Sequence, residues 1–347
     1  MSFKAALIKT FLKLPPAWLV RLSGGKPLEI GGRVMDPYMQ FVTHGAAKQT
    51  PLWKRAPGDA RQVSAEALSM LSDVIEPGVS YEDFSLEADD RGIPVRLYRP
   101  ESQNPDRPMM VYMHMGGGVI GDLETCHVFC SLLASATAAP ILSVDYRLAP
   151  EHKFPAGLQD GVFAYEWALK NAQYYGAASG RAAIGGDSMG GNFAAIITQL
   201  MRREEKPLPD VQLLIYPATD IVHDFPSKEI YGETYPLSKQ TMTWFMEQYL
   251  PDGQDVSDVH ISPALEYDLA NLSPAIIATA GFDPLVDEGE DYAKRLEAAG
   301  VQAMYKCYDS LPHGFTAFTG ISPAADQACR DIAESVNTAY QNAVSVS

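Results

Sequence analysis

Cysteines and long apolar runs are scarce in this chain. Its 347 residues include only four cysteines, and no apolar run reaches the length of about 18 residues that a membrane-spanning helix requires. Cys126 and Cys130 lie close together, but no further ligands stand near them at the spacing of a metal site. We therefore expect buried free thiols in a reducing compartment, no metal and no transmembrane segment.

Basic residues are also few. The chain has 27 lysines and arginines against 43 aspartates and glutamates, which gives a net charge of −16. A surface of this sign repels phosphate backbones, and nucleic-acid binding is therefore excluded as a function.

The first 22 residues combine apolar side chains with lysines. Lys4, Lys9 and Lys13 interrupt the apolar residues and Pro15-Pro16 follows them, a pattern that argues against a secretory signal. The spacing favours a short amphipathic helix that packs on its own protein, and a helix lying on a membrane surface is the alternative. We expect a cytoplasmic protein without membrane contact.

From about residue 85 onward, apolar runs of strand length alternate with amphipathic helical patterns. This alternation predicts an α/β fold with a mostly parallel sheet covered on both faces. The first two strands, joined by the short turn at 89–92, are typical of an antiparallel hairpin at one edge. The predicted strands of this eight-stranded mixed sheet are 85–88, 94–98, 109–114, 140–145, 182–185, 211–216, 275–280 and 303–308, and the helices include 123–136, 158–171, 192–203 and 289–299.

Two segments depart from this alternation. They are residues 1–50 and 220–258, and the second contains a predicted helix at 239–250 with Ser238 as its N-cap. Both carry aromatic residues that have nowhere to be buried except against each other. We expect them to form one discontinuous helical cap, and residues 51–219 and 259–347 to form the catalytic domain.

The pentapeptide G-D-S-M-G at 186–190 places Ser188 between a predicted strand and a predicted helix. A serine on such a sharp turn exposes its hydroxyl at the end of a sheet, and the following helix N-terminus stabilises an anion. Ser188 is therefore the candidate nucleophile.

A nucleophilic serine needs a base and an acid. In sheets of this kind they follow the serine along the chain in the order acid, then histidine. If Asp283, after the strand at 275–280, is the acid, His313 is the only histidine of seven that follows it. Asp287 is the alternative acid. It lies about one turn further along the chain, where a position facing the start of a helix is favoured over one beside the histidine.

The oxyanion of a tetrahedral intermediate needs two or three amide donors. Met189 supplies the amide after the nucleophile, and the glycines at 116–118 follow a predicted strand that ends at His114. Glycine allows the backbone to approach a substrate closely. Gly116, Gly117 and Met189 are the candidate donors.

Together these motifs resemble those of the bacterial hormone-sensitive-lipase-like esterases, a branch of the α/β-hydrolase fold. The resemblance extends from about residue 75 to 320 and includes the elbow at 186–192, D-P-L-V-D-E-G at 283–289 and H-G-F at 313–315. It also includes D-Y-R-L-A-P-E at 145–151 with F-P-A at 154–156, and His114 with Gly116-Gly117. The resemblance implies an α/β-hydrolase fold with a cap, a Ser188–His313–Asp283 triad and no cofactor.

The chain departs from the family pattern beside the nucleophile. Met115 occupies the first glycine of the oxyanion motif, Gly118 the usual aromatic position, and Met189 the usual alanine. We expect the two methionines to form an adaptable acyl pocket, with Gly118 and Asp187 as further pocket residues. Arg147 and Glu151 are interpreted as a structural ion-pair network that holds the oxyanion loop.

The predicted function is a serine carboxylesterase that hydrolyses short- to medium-chain acyl esters through an acyl-enzyme. The alternatives are a lipase acting on longer chains, an amide or carbamate hydrolase, and a catalytically silent ligand receptor on the same fold. Members of the family often form dimers through a sheet edge, so a homodimer is a further expectation.

Overall fold

The alternating apolar runs form one large sheet in the computed structural model, which describes residues 10–71, 74–88 and 91–344. A small hairpin of β1 (Glu29–Ile30) and β2 (Arg33–Val34) lies apart from it. The strands of the large sheet are β3 (Val79–Ala88), β4 (Arg91–Pro100), β5 (Met109–Met113), β6 (Ile141–Val144), β7 (Ala182–Asp187), β8 (Gln212–Ile215), β9 (Ala275–Phe282) and β10 (Ala303–Pro312).

The sheet has eight strands in the order β10-β9-β8-β7-β5-β6-β4-β3. β3 pairs antiparallel with β4, and β4 pairs antiparallel with β6, whereas all other pairs are parallel. The predicted mixed sheet with an antiparallel hairpin at one edge is thus confirmed. Of the predicted turn at 89–92, Arg91 and Gly92 pair in β4, whereas residues 89–90 lie outside the described ranges.

Burial explains why the central strands contain nearly continuous apolar runs. Every residue of β5 to β9 is buried, and alternate side chains enter cores on opposite faces. Val111 and Met113 face one core, while Met110 and Tyr112 face the other. Both faces must be apolar because helices cover both of them.

The helices fall into three groups: some come before the large sheet in the chain, some pack on its faces, and two lie in an insertion between β8 and β9. Those before the sheet are α1 (Pro16–Leu22), α2 (Pro37–Ala46) and α3 (Pro57–Leu71). The helices that cover the sheet are α4 (His127–Thr137), α5 (Ala156–Asn171), α6 (Met189–Arg203), α9 (Val286–Ala298) and α10 (Pro323–Val344). Between β8 and β9 lie the short α7 (Pro226–Ile230) and α8 (Lys239–Tyr249).

Helix α8 follows the prediction closely, since it begins at the predicted residue and ends one residue early. The side chain of Ser238 caps it by accepting the amide of Thr241 at 3.2 Å. Residues 1–9, which carry much of the predicted N-terminal amphipathic helix, lie outside the described ranges. Among the helices that the structure describes, none combines the length and apolar content needed to cross a bilayer.

Four strand ends bring chemistry-bearing residues to one edge of the sheet. His114, Ser188, Asp283 and His313 are each the first residue after β5, β7, β9 and β10, respectively. These strands run parallel, so their carboxyl ends lie on the same side, which is where ligand sites form in α/β sheets.

Candidate active site

Ser188 lies on the sharp turn between β7 and α6. Its backbone has φ 56° and ψ −115°, a strained conformation for a residue with a side chain. The turn is possible because a Cβ on Gly190 would overlap the carbonyl of Met113, and one on Gly186 would overlap Gly190. The two glycines therefore allow the crowded turn that the pentapeptide predicted.

Ser188, His313 and Asp283 form a continuous hydrogen-bonded chain. The Nε2 of His313 lies 2.9 Å from the Oγ of Ser188, and its Nδ1 lies 2.7 Å from the Oδ2 of Asp283. The other carboxylate oxygen of Asp283 accepts the amide of Leu285 at 2.9 Å. Asp283 is fully buried, whereas Ser188 and His313 retain 8% and 6% exposure, so a substrate can reach only the reacting end of the chain.

The alternative acid, Asp287, is engaged elsewhere. Its carboxylate accepts the amide of Ser227 at 2.8 Å, next to the start of α7. This is the helix-start environment that the sequence suggested for it, and it leaves Asp283 as the carboxylate beside His313.

The glycine loop after β5 lies beside the nucleophile. Gly116 and Gly117 line a cavity together with Ser188 and His313, and their φ values of 131° and 62° favour glycine. Their amides donate to no acceptor among the residues that the structure describes. Free amides near the serine hydroxyl are what an oxyanion site requires.

The loop turns around the buried ring of His114. This ring stacks on Tyr146 at 4.2 Å, and its Nδ1–H donates to the carbonyl of Met115 at 2.7 Å. Burial lowers the pKa of His114 to about 4, so the ring is neutral at physiological pH. His114 therefore supports the loop as an uncharged donor.

Arg61 of α3 ties the loop to the D-Y-R-L-A-P-E segment. Its guanidinium donates to the carbonyls of Val119 and Ala149, at 2.8 and 2.7 Å, and pairs with Glu151. Arg147 instead pairs with the buried carboxylate of Asp160 at 2.9 Å. Arg147 and Glu151 thus belong to structural ion pairs, as expected, but to two separate ones, and Arg61 is the residue that reaches the loop.

Two cavities meet at Ser188. The first cavity, of about 200 Å³, lies on the side of His313 and Gly314 and has a mainly apolar wall to which α2, α3 and α8 contribute. The second cavity, of about 380 Å³, lies on the side of Met189 and extends past Ala218, Ile221 and Leu285. Helix α8 contributes side chains to both cavities.

Comparisons with known proteins place this geometry in a family. A family model described as alpha/beta hydrolase fold matches residues 110–317. The chain is 39% identical to the carboxylic ester hydrolase LipN of Mycobacterium tuberculosis, over 85% of this chain and 80% of that protein. It is 35% identical to an ethyl acetate hydrolase of Pseudomonas putida, over 84% and 93% of the two chains.

A solved structure agrees. The crystal structure of an alpha/beta hydrolase enzyme from the metagenome of Lake Arreo, Spain, superimposes with a TM-score of 0.84 at 33% identity. The superposition covers 88% of this chain and 99% of that one. This chain belongs to the hormone-sensitive-lipase-like carboxylesterases of the α/β-hydrolase superfamily.

For this carboxylesterase, the expectation that Asp187 lines the pocket is wrong. Its side chain is buried beneath the site, where one carboxyl oxygen accepts the hydroxyls of Tyr216 and Thr316 at 2.8 and 2.9 Å. The residue ends β7 one position before Ser188, and the alternation of side chains along a strand points it away from the nucleophile. Tyr216 in turn packs its ring 4.7 Å from that of His313.

Gly118 also lies outside both cavities, contrary to expectation. A Cβ at this position would lie 2.6 and 2.8 Å from two ring carbons of Tyr249, at the end of α8. Helix α8 therefore places an aromatic ring beside the loop position where the family has one of its own.

The two methionines of the carboxylesterase do not share one pocket. Met115 lines the first cavity, with its sulfur next to Gly314, and Met189 lines the second. The expected joint acyl pocket is therefore wrong, because Ser188 lies between the two methionines.

Several residues of the site escaped the sequence reasoning. Arg61, Phe245 and Tyr249 reach the glycine loop from helices distant in the chain, and Tyr216 and Thr316 hold Asp187. The apolar spacing of α8 signalled a buried face, but no pattern indicated what that face covers. Among the described residues, no three His, Cys, Asp or Glu side chains are gathered where they could hold a metal ion.

Asp187 gives the carboxylesterase a testable pH dependence. Burial raises the pKa of its carboxyl above the ordinary value, against the opposing effect of the hydrogen bonds from Tyr216 and Thr316. Below about pH 4, the ordinary carboxyl pKa, both the folded and the unfolded protein carry a neutral Asp187. As the pH rises from about 4 through the folded-state pKa, the unfolded protein ionises before the folded one. The stability that the neutral Asp187 gave the folded protein is therefore lost over this pH interval.

Asp187→Asn should therefore become increasingly stable relative to wild type as the pH rises above about 4. The free energy of unfolding would be measured by urea denaturation at several pH values in that range. Asp224→Asn, which alters an exposed carboxyl, is the control and should show no comparable trend. A difference for Asp187→Asn that shrinks with rising pH would mean that the buried carboxylate is stabilised as an anion.

Proposed function

We propose that this carboxylesterase hydrolyses short- to medium-chain acyl esters through an acyl-enzyme formed on Ser188, with His313 as base and Asp283 as its orienting acid. The observation that carries the proposal is the unbroken chain of hydrogen bonds from Ser188 Oγ through His313 to a buried carboxylate. Ester hydrolysis itself agrees with the carboxylic ester hydrolases that the chain resembles.

In the first half of the reaction, His313 Nε2 takes the proton of the Ser188 hydroxyl as Oγ attacks the ester carbonyl. Asp283 holds the ring with Nδ1 protonated and stabilises the imidazolium that forms. The amides of Gly116, Gly117 and Met189 stabilise the oxyanion. His313 then protonates the leaving alkoxide, and water repeats the sequence to release the acid.

The position of His313 assigns the two cavities. Because His313 must protonate the leaving oxygen, the alcohol part of the ester lies on the histidine side, in the first cavity. The acyl part then lies in the second cavity, past Met189.

The second cavity favours acyl chains of limited length. Its wall combines apolar residues, among them Met189, Ile221 and Leu285, with charged ones, of which Asp224, Lys239 and Glu247 are exposed. A long alkyl chain would have to displace water from these charges, which is unfavourable. This supports an esterase over the lipase alternative.

The first test is the hydrolysis of p-nitrophenyl esters with acyl chains of about two to sixteen carbons. We expect a maximum at short to medium chains and a fall of about 10⁴–10⁶-fold in kcat for Ser188→Ala and His313→Gln. Asp283→Asn should lose about 10⁴-fold, because the ring adopts the wrong tautomer. A maximum at long chains would favour a lipase, and activity on amides alone an amidase.

Matched variants test the residue assignments. His152→Gln changes an exposed histidine, and Asp287→Asn changes the alternative acid, so both should keep kcat within a few-fold of wild type. Full activity of Asp283→Asn, or loss in Asp287→Asn without unfolding, would overturn the choice of acid.

The oxyanion assignment has its own test. A Cβ on Gly117 would lie 2.6 and 2.7 Å from two ring carbons of Phe245, so Gly117→Ala must displace the loop and its amide. We expect kcat to fall about 10²–10³-fold, as for the removal of one oxyanion donor.

Gly180→Ala is the control for Gly117→Ala. Gly180 has a similar φ, 69° against 62°, but no atoms lie within 4 Å of an added Cβ. It therefore reproduces the backbone strain without the collision, and its kcat should stay near wild type. Equal losses of kcat in both variants, measured on p-nitrophenyl acetate, would mean that backbone strain alone causes the effect.

Homodimer formation is a separate prediction, to be checked by sedimentation.

A further inference from the structure

Helix α8 lies along the boundary between the two cavities. Thr241 lines only the first cavity, Met242 and Met246 line only the second, and Phe245 lines both. At about 100° per residue, Phe245 projects between Thr241 and Met242 on the helix surface. The inward face of the helix thus has one side for each cavity and Phe245 in the middle.

Phe245 is held firmly in this middle position. It is 8% exposed, its ring lies against the backbone of Gly117, and the ring of Trp244 packs 5.3 Å away. Besides Phe245, the only described residues common to both cavities are Gly117, Ser188 and Leu237. Glycine has no side chain and Ser188 is the candidate nucleophile. The side chains of Phe245 and Leu237 therefore form the wall between the two cavities.

We propose that Phe245 is a specificity-determining residue whose ring separates the acyl from the alcohol subsite, so that it limits the size of both halves of the ester at once. The proposal rests on the proposed function, because the two subsites are assigned from the role of His313. Its consequence is coupling: removing the ring joins the two cavities, whereas removing a side chain that lines one cavity enlarges that cavity alone.

Two ester series measure the two subsites independently. The acyl series keeps p-nitrophenol and lengthens the acid from acetate to octanoate. The alcohol series keeps acetate and enlarges the alcohol from ethyl through butyl and benzyl to 1-naphthyl, with the released acid followed by titration. Each kcat/KM is divided by the value of the same variant for the smallest ester of its series, so that a general loss of activity cancels.

Phe245→Ala should raise the relative kcat/KM of the bulkiest ester by about 10-fold or more in both series, which is the effect of a few methylenes in an apolar pocket. Met242→Ala, on the same helix, should change only the acyl series. Met115→Ala should change only the alcohol series. A role in stability alone would lower all rates without changing either normalised profile.

A shift of only one series in Phe245→Ala, or of neither, would overturn the proposal. If Phe245→Ala does not fold, Phe245→Leu keeps an apolar contact with Gly117 and should show the same coupled shift with a smaller amplitude. Failure of the proposed function gives a different result, since wild type would then hydrolyse neither series or Ser188→Ala would remain active.

Discussion

The close contact between the end of β5 and the turn after β7 determines the geometry of the whole site. Gly190 lies so near the carbonyl of Met113 that no side chain fits between them. Because Met113 is followed by His114 and the glycine loop, this contact fixes the loop relative to Ser188. The parallel register of β9 and β10 then brings Asp283 and His313 to the same edge. The sheet therefore sets the relative positions of the glycine loop, Ser188, Asp283 and His313.

Helices α3 and α8 contact the reacting groups through the glycine loop. Arg61 of α3 holds the carbonyl of Val119, and Phe245 and Tyr249 of α8 cover Gly117 and Gly118. The two aromatic residues are one helical turn apart, so a single face of α8 meets two consecutive glycines. A movement of α8 would consequently change both the cavity walls and the loop that carries the proposed oxyanion donors.

The sequence was sufficient where the chemistry depends on order along the chain. The alternation of apolar runs predicted the eight strands and their mixed pairing, and the order serine, acid, histidine selected the three residues that the structure brings into contact. Ends of strands were less accurate: β3, β9 and β10 extend beyond their predicted bounds, because pairing with a neighbour continues past the apolar run. The predictions for Gly118 and Asp187 failed because their surroundings come from distant segments. The sequence around Gly118 does not indicate that Tyr249 will cover it. The sequence around Asp187 does not indicate that Tyr216 and Thr316 will donate hydrogen bonds to it.

Two buried carboxyls lie close to His313, and their surroundings distinguish their roles. Asp283 meets the Nδ1 of the ring and the amide of Leu285, both N–H donors suited to an anion. Asp187 accepts the hydroxyls of Tyr216 and Thr316, and burial raises its pKa. It touches the ring of His313 only indirectly, through Tyr216. A carboxyl can orient and balance an imidazolium when it is charged and in direct contact with the ring, which supports the proposed acid role of Asp283. Asp187 instead joins the turn before Ser188 to the loop after His313, which ties together the two segments that must stay in register for proton transfer.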